Sequence, residues 1–171
     1  MDEHSGKVKI LVIHGPNLNL LGIRETHLYG SFTLEDVNKM LREIASQADV
    51  EIEIFQSNSE SEIVTKIQNA KDWADAILIN PAAFTHYSIA IRDAILAVNK
   101  PTVEVHITNI YKREKFRRRS VISDIAVGVI SGFGIDSYRL GLLAAINLAK
   151  KRNISTTLDN SNEIQLIQLH I

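Results

Sequence analysis

Apolar and polar positions along the chain follow two periodicities in turn. Between the strand-like runs, apolar residues recur at the i, i+3, i+4, i+7 spacing of one helix face, over residues 33–48, 59–74, 89–98 and 135–149. The short, mostly apolar runs that have the character of buried strands cover residues 7–13, 50–55, 75–80, 101–107 and 126–131. The pattern therefore predicts strands and helices that largely alternate.

Two of the predicted helices begin at residues suited to cap them. Thr33 is followed three residues later by Asp36, and Ser59 is followed at the same interval by Glu62. This is the spacing at which a hydroxyl and a carboxylate satisfy the free N–H groups of a first helical turn. We therefore expect helices to start at Thr33 and Ser59.

The alternation predicts an α/β fold. A helix that connects two parallel strands packs back on the sheet, so a mostly parallel sheet is covered on both faces. The order of the runs suggests a flavodoxin-like fold, a five-stranded parallel sheet flanked by helices, built by residues 1–150 as a single domain. Residues 151–171 form a tail of unassigned role, in which the polar stretch 153–162 is typical of a linker.

Composition excludes several classes of function. The apolar fraction of 45% and the charged fraction of 23% are those of a soluble globular protein. A net charge of −1 gives no general attraction to nucleic acid or membrane, and the lack of cysteine excludes disulfides and thiolate metal sites. No apolar run approaches the ~20 residues of a membrane span, and the N-terminus lacks a secretory pattern. A cytoplasmic location is expected.

The first strand is followed by the richest loop of the chain, residues 15–30, GPNLNLLGIRETHLYG. Neither GxGxxG nor GxxxxGK[ST] occurs in it, so it is not a phosphate-binding loop of those kinds. Arg24 and Tyr29 matter most, because a guanidinium beside a phenol is one way to make a base from a weak acid. Asn17, in the same loop, is a further polar candidate.

The fourth strand carries the sharpest local signal. Glu104 and His106 are two residues apart and therefore point to the same side of a sheet. A carboxylate that holds one ring nitrogen leaves the other free to act as acid or base. The alternative is an edge strand whose polar face lies in water, and Pro101 at its start fits either interpretation.

Two further segments carry polar candidates whose interpretation from the residues alone is open. Asn80 ends the third strand and could cap a turn, and His86 could lie on the surface. Arg113 and Arg117 would share a face of a helical turn, although basic clusters are usually solvated. The run at 117–119 could contact nucleic acid, but no series of aromatic residues accompanies it.

Four segments together resemble, in the same order, the motifs of the type II 3-dehydroquinate dehydratases. The resemblance covers about residues 7–150 and is highly specific. The segment 15–30 resembles GPNLNLLGxREPxxYG, 80–93 resembles NxGxxTHxSxxxRD, 104–109 matches EVHITN, and 109–120 resembles NxxxREEFRxxS; residues 56–58 also fit the family's QSN. Thr26 replaces the usual proline, and Ser61 and Ala82 replace common glycines.

The resemblance implies an enzyme that dehydrates 3-dehydroquinate to 3-dehydroshikimate, a step of the shikimate pathway to aromatic amino acids. The elimination is anti, proceeds through an enolate, and uses no cofactor and no metal. The implied catalytic residues are Tyr29 as base, Arg24 beside it, Asn17 at the enolate oxygen, and His106 as general acid oriented by Glu104. The implied substrate-binding residues are Asn80, His86, Asp93, Ile107, Thr108 and Arg117, with Arg113 in support.

The family assembles as trimers grouped into a dodecamer, so this chain is expected to form a dodecamer in which Asp93 reaches across a subunit contact. The small-molecule substrate is the only other partner expected, with no nucleic acid and no membrane.

Charge energetics add a condition on the loop. A phenol with a pKa of about 10 needs roughly 4 kcal/mol of preference for the phenolate to titrate near pH 7. A cation at about 4 Å supplies ~1 kcal/mol in bulk water but ~4 kcal/mol at an effective dielectric of ~20. Arg24 therefore suffices only where water is excluded, which predicts a mobile lid with Gly22 and Gly30 as flexible points.

Other classes of function fit the sequence less well. The lysines do not lie at an apolar strand end, so the Schiff-base chemistry of the unrelated type I enzymes is not expected. A flavodoxin-like binding or signalling module is disfavoured because the first and third strands end in His14 and Asn80, not in acidic residues. An RNA-binding or scaffold protein has no need of the whole polar set.

Overall fold

A parallel sheet of five strands forms the centre of the molecule. The computed structural model describes the backbone of residues 6–23 and 25–168, and side chains only as far as residue 155. The strands lie in the order β2-β1-β3-β4-β5, and every pairing is parallel. They are β1 (Lys9–His14), β2 (Glu51–Gln56), β3 (Ala76–Asn80), β4 (Thr102–His106) and β5 (Gly128–Ser131). This is the flavodoxin-like order, and the predicted fold class is confirmed.

The four predicted helices are present in the expected order, and two of them begin at the expected caps. A further short helix lies within the segment 15–30, which was expected to be a loop. The Thr33 hydroxyl accepts from the Asp36 N–H while the Asp36 carboxylate accepts from the Thr33 N–H, and the Ser59 hydroxyl accepts from the Glu62 N–H. The helices are α1 (Thr26–Tyr29), α2 (Leu34–Ala48), α3 (Glu60–Asn69), α4 (Ile89–Val98) and α5 (Asp136–Gln168). Single turns of 3₁₀ helix occur at Leu18–Leu20, Ala82–His86, Ile110–Lys112 and Lys115–Arg117.

Two predictions about helix length are wrong. The helix α3 ends at Asn69, five residues before the predicted 74, and residues after it form turns. The helix α5 does not stop at 149 but continues through the stretch 153–162 that we expected to be a linker. That stretch is polar but contains no glycine or proline, so nothing in it prevents helical backbone from continuing.

The core lies in two layers, one on each face of the sheet. Because side chains alternate along a strand, Ile10 and Val12 pack on one face of β1 and Leu11 and Ile13 on the other. The first layer is closed by α2 and α5, and the second by α3 and α4. Each large side chain buried in this way contributes roughly 1.5–3 kcal/mol of transfer free energy. The two layers fix the strand ends from which the polar groups project.

The carboxyl ends of β1, β3 and β4 meet at one edge of the sheet. The register places His14 beside Asn80, and the Gly15 N–H donates to the Asn80 carbonyl at 2.8 Å. A Cβ atom on Gly15 would lie 2.3 Å from the Pro81 carbonyl oxygen, so only glycine fits where the two loops leave the sheet. Within the described ranges 6–23 and 25–168, no helix is both long and apolar enough to cross a membrane.

Candidate active site

A cleft with an empty volume of about 740 Å³, part of it open to solvent, lies at this edge of the sheet. It is formed by the loop after β1, the 3₁₀ turn after β3 and the segment after β4. The expected site residues that line it are Asn17, Tyr29, Asn80, His86, His106, Ile107, Thr108, Arg113 and Arg117. The sequence patterns did not identify its apolar walls, which are Pro16, Leu18, Leu21, Ala82, Ala83 and Ile110.

Glu104 and His106 form a buried pair on β4. His106 Nε2 lies 2.5 Å from Glu104 Oε1, and the two residues are 5% and 0% exposed. Since β4 lies between β3 and β5, the alternative of a solvated edge strand is wrong. A carboxylate can only accept a hydrogen bond, so Nε2 carries the proton, and Nδ1 is the ring nitrogen available to the cleft.

Two serines complete the surroundings of the Glu104 carboxylate. Ser120 Oγ donates to Oε1 at 2.9 Å, and Ser123 Oγ donates to Oε2 at 2.7 Å. Burial raises the pKa of Glu104, but the hydrogen bond and charge of His106, together with both hydroxyls, outweigh it and lower the pKa overall. Sequence reasoning assigned neither serine a role, although Ser120 matches the last residue of the NxxxREEFRxxS motif.

Tyr29 lies against the guanidinium of Arg113. Arg113 Nη1 donates to the Tyr29 hydroxyl at 3.1 Å and to Thr108 Oγ1 at 3.3 Å, and its central carbon lies 5.6 Å from the centre of the Tyr29 ring. The guanidinium therefore contacts both the hydroxyl and the ring of Tyr29. Arg24, the residue expected beside Tyr29, lies outside the described residues.

The loop that carries Asn17 is held by residues at the end of β2. The Asn17 N–H donates to Asn58 Oδ1 at 2.9 Å, and Gln56 Nε2 donates to the same oxygen at 3.1 Å and to the Gly15 carbonyl at 3.3 Å. Asn17 has a φ of 65°, a left-handed conformation that asparagine tolerates better than most residues. The residues that match QSN therefore act on the shape of the cleft through the Asn17 backbone.

His86 is held in one tautomer at the mouth of the cleft. Its Nδ1 lies 2.7 Å from the Arg119 carbonyl, which can only accept, so Nδ1 carries the proton and Nε2 is an acceptor when the ring is neutral. Burial lowers the pKa of His86. The hydrogen bond to Arg119 opposes this effect, while the charges of His106 and Arg117 add to it, and the pKa is lowered overall. The ring is therefore neutral near pH 7.

Arg113 and Arg117 reach the cleft from two separate 3₁₀ turns and not from one helical face. Both Nε atoms lie 3.3 Å from Glu114 Oε2, so one exposed carboxylate holds the two guanidinium groups. A hydrogen bond with its own backbone lowers the pKa of Glu114 most, and the charges of the two arginines lower it further, against the opposing effect of burial. The arrangement gives one wall of the cleft an excess of positive charge, suited to an anionic ligand.

Of Asp93 and the three residues that depart from the family motifs, only Ala82 lines the cleft. Asp93 is exposed on α4 and is absent from the lining of the cleft as the described residues form it. Ala82, where the family has glycine, lines the cleft with a φ of 52°, a left-handed conformation that costs an alanine about 1 kcal/mol. Ser61 lies in the first turn of α3, away from the cleft, and Thr26 begins α1.

A chain of polar side chains lies beneath the cleft. His14 Nδ1 is 2.9 Å from the Tyr138 hydroxyl, and His14 Nε2 is 3.0 Å from Asn38 Oδ1. His14 and Tyr138 are both 0% exposed. Burial lowers the pKa of His14 to about 4, and it raises the pKa of Tyr138 well above its usual range, so both groups are neutral at pH 7.

His14 should make the stability of the protein fall in mild acid. The unfolded chain binds a proton at this residue below a pH of about 6.5, whereas the folded protein does so only near pH 4. The unfolded state therefore binds more protons between these values, and about 3 kcal/mol of stability is lost as the pH falls through that window. Denaturant unfolding of the wild type and of His14→Asn at pH 7.5 and pH 4.5 measures the effect.

The difference between the two proteins isolates this residue, because carboxylates such as Glu104 titrate in both. We expect the wild type to lose roughly 2–3 kcal/mol more than His14→Asn between the two pH values. Equal losses would show that His14 binds its proton with the same affinity in the folded and unfolded states.

The fold and the cleft together define a flavodoxin-like α/β protein with a candidate active site at the carboxyl ends of its strands. A phenol against a guanidinium and an imidazole against a buried carboxylate line one cavity whose wall is positively charged. Residues 8–146 match the model of the family "Dehydroquinase class II". The chain belongs to the class II dehydroquinase family, and it is therefore an enzyme, a hydro-lyase.

Relatives and solved structures agree with this assignment. The chain is 54% identical over 148 residues to the 3-dehydroquinate dehydratase of Desulforudis audaxviator, a match over 86% of this chain and 99% of that protein. It is 58% identical over 144 residues to the 3-dehydroquinate dehydratase of Geotalea daltonii, over 84% and 100% of the two chains. The crystal structure of the type II dehydroquinase from Butyrivibrio crossotus superposes with a TM-score of 0.80 at 45% identity, over 82% of this chain and 98% of that one.

Proposed function

We propose that the chain is a 3-dehydroquinate dehydratase that removes water from 3-dehydroquinate to give 3-dehydroshikimate in the shikimate pathway. The observation that carries the proposal is that Tyr29 and His106 line the same cleft. Tyr29 is hydrogen-bonded to Arg113, and His106 is hydrogen-bonded to the buried Glu104. These are a candidate base and a candidate acid, each in contact with a charged partner.

The proposed reaction begins at the carbon next to the ketone. Tyr29, as the phenolate, removes a proton from this carbon, and the electron pair of the C–H bond moves to the carbonyl oxygen to form an enolate. Asn17, with an ordered water, stabilises the negative charge on that oxygen. Such stabilisation needs hydrogen-bond donors that are held in fixed positions. The Asn17 backbone is held by its hydrogen bond to Asn58.

The second step expels the hydroxyl group on the next carbon. The enolate electrons form the new C=C bond, the C–O bond breaks, and His106 gives the Nδ1 proton to the departing oxygen, which leaves as water. The Glu104 carboxylate stabilises the imidazolium that this step requires. Tyr29 then returns its proton to solvent and His106 takes one up, so the cycle consumes no acid or base and uses neither cofactor nor metal.

The remaining lining residues would bind the substrate. Arg117 suits the substrate carboxylate, while Asn80 and His86 offer a donor and an acceptor to ring hydroxyls. Ile107 and Thr108, which follow β4, would contact the ring.

Arg24 is proposed as a second cation near Tyr29, in addition to Arg113, on a lid that closes over the substrate. The two glycines expected to be flexible points, Gly22 and Gly30, have left-handed φ values of 82° and 91°.

An absorbance assay tests the proposal directly. The product carries a C=C bond conjugated with its ketone, so purified protein mixed with 3-dehydroquinate should produce a rising ultraviolet absorbance. The rate should be the same after treatment with EDTA. A protein that binds 3-dehydroquinate but does not change its absorbance would be a flavodoxin-like binding module and not a dehydratase.

We also propose that the enzyme is a dodecamer of four trimers in which Asp93 completes the site of a neighbouring subunit. Ile89, Asp93 and Leu96 lie on one face of α4 at helical spacing, and the two apolar side chains are 54% and 53% exposed. An apolar face of this kind supports a subunit contact. Sedimentation should give a mass of twelve chains.

The role of Asp93 can be tested by mixing two inactive variants, Asp93→Ala and Tyr29→Phe, within one oligomer. If the carboxylate serves a neighbour, about one quarter of the sites in a random trimer would contain both groups, and activity would return. Mixed oligomers without activity would place Asp93 in its own subunit's site.

The cytoplasmic location stays a prediction that cell fractionation tests.

A further inference from the structure

We propose that the segment 120–124, held in place by Arg92 of α4, positions the carboxylate of Glu104 and, through it, the imidazole of His106. The inference rests on the proposed function in that His106 is taken to be the acid of the reaction. Neither the segment nor Arg92 contributes to the lining of the cleft as the described residues form it. Their residues therefore act by positioning other groups and are not catalytic residues.

Three donors hold the Glu104 carboxylate. His106 Nε2 lies 2.5 Å from Oε1. Ser120 Oγ donates to the same oxygen at 2.9 Å, and Ser123 Oγ donates to Oε2 at 2.7 Å. The last torsion of a glutamate side chain has no strong preference of its own, so the orientation of the carboxylate plane depends on these donors. Because Glu104 is 0% exposed, solvent does not replace a donor that is lost.

The orientation of the carboxylate matters for the imidazole that it holds. Oε1 accepts the Nε2–H of His106, so a fixed carboxylate fixes the ring and therefore the position of Nδ1 in the cleft. The negative charge also stabilises the imidazolium that gives up its proton. A hydroxyl that donates to the carboxylate favours its charged form. The two serines should therefore affect the chemical step more than the binding of substrate.

The segment is shaped so that both hydroxyls reach the same carboxylate. Ser120 Oγ accepts from the N–H groups of Ile122 and Ser123, each at 3.0 Å, and this closes a turn. A hydroxyl has two lone pairs and one proton, and the N–H groups can only donate, so the proton of Ser120 is left for Glu104. Ile122 is 0% exposed and anchors the turn in the second layer of the core.

Arg92 holds the outer side of the segment against α4. Its Nη1 donates to the Val121 carbonyl at 2.8 Å. Nη1 and Nη2 also pair with the two carboxylate oxygens of Asp124, the Nη2 bond being 2.9 Å long. The Val121 N–H donates to the Thr85 carbonyl at 2.9 Å, so this residue is held on both sides. A two-pronged arginine–carboxylate pair fixes geometry as well as charge, which suits a group that acts by holding a backbone in place.

Ser123→Ala removes one donor to the carboxylate and leaves the cleft lining unchanged. We expect kcat to fall roughly tenfold, the equivalent of about 1.4 kcal/mol, as measured by the ultraviolet assay. KM should change by less than about twofold, because Ser123 does not contact the cleft. Ser123→Thr keeps the hydroxyl and should restore kcat to within about threefold of the wild type.

Ser137→Ala is the matched control. Ser137 is 0% exposed, and its hydroxyl accepts from the Phe133 N–H at 3.1 Å, away from Glu104. Loss of this buried hydrogen bond should lower the midpoint of thermal unfolding without changing kcat. The comparison separates positioning of the acid from a general loss of stability.

A double-mutant cycle tests whether Arg92 acts through the serines. Arg92→Gln should lower kcat about threefold, and Asp124→Ala, which breaks the same ion pair from the other side, should do the same. Once Ser120 and Ser123 are both alanine, Arg92→Gln should lower kcat by less than about 1.5-fold. An unchanged kcat in Ser123→Ala or in Arg92→Gln, or equal losses in both backgrounds, would overturn the inference.

A crystal structure of Ser123→Ala gives a readout that does not depend on turnover. The Glu104 carboxylate should show a second orientation, or displacement parameters raised relative to the neighbouring backbone of Val103 and Val105. A single, equally ordered carboxylate would overturn the inference whether or not the wild type dehydrates 3-dehydroquinate. An inactive wild type whose Glu104 responds in this way would instead contradict the proposed function alone.

Discussion

Tyr29→Phe is expected to lower kcat by a factor on the order of 10²–10⁴, the usual contribution of a positioned acid or base. The variant removes only the hydroxyl, so the ring keeps its place between Arg113 and the buried apolar cluster against which it packs. Without a group to accept the proton next to the ketone, the enolate cannot form at the catalysed rate. The ultraviolet assay measures kcat and KM together.

Binding and folding should survive this change, because the phenol does not hold the fold together. The affinity for a non-reacting substrate analogue should stay within a few-fold of the wild type, as should the midpoint of thermal unfolding. Tyr111→Phe, an equal change at a residue 61% exposed, should leave kcat unaltered. If Tyr29→Phe keeps substantial turnover, another group is the base.

The physical reason for proposing Tyr29 as the base is the cation beside it. The Arg113 guanidinium, 3.1 Å from the hydroxyl, supplies a favourable charge within hydrogen-bond distance. How much this charge contributes depends on the exclusion of water, since it weakens about fourfold from an effective dielectric of ~20 to bulk water.

His106→Gln is expected to reduce kcat by a similar factor, on the order of 10²–10⁴, because its amide cannot protonate the departing hydroxyl. The glutamine N–H₂ can still donate to the Glu104 carboxylate, which therefore stays paired. We expect its free energy of unfolding to stay within about 1 kcal/mol of the wild type. The same assay, together with denaturant unfolding, checks both statements.

His106→Ala is the informative comparison. It removes the acid and also the donor that lies 2.5 Å from a fully buried carboxylate, so Glu104 keeps only Ser120 and Ser123. Breaking a buried pair by removing one partner costs roughly 3–5 kcal/mol. Alanine should therefore lose both turnover and stability, and glutamine only turnover. Near-normal kcat in His106→Gln would exclude the imidazole as the acid.

Local features of the sequence were enough to predict the fold. The strand-like runs, the helix-face spacing and the caps at Thr33 and Ser59 depend only on neighbouring residues, and the structure confirms them. The polar ends of β1, β3 and β4 could be placed at one edge for the same reason, because parallel strands bring like ends together. The positions of Tyr29, Glu104 and His106 near one another followed from this topology and from the family motifs.

The errors came where no local signal exists. The polar stretch 153–162 has the composition of a linker, but helix propensities differ by only about 1 kcal/mol or less among its residues, too little to end a helix. The apolar lining of the cleft was missed because residues such as Leu18 and Leu21 look like ordinary core residues. A periodicity identifies the buried face of an element but not the cavity that the face meets.

The sequence by itself determined the order of the elements and the residue types that the chemistry needs. Only the tertiary structure decided which partner holds each of them. Three hydrogen bonds join residues that are far apart along the chain. Arg113 and Tyr29 are separated by 84 positions, Ser123 and Glu104 by 19, and Tyr138 and His14 by 124. Such contacts depend on how helices and loops pack against the sheet, and no pattern along the chain records that packing.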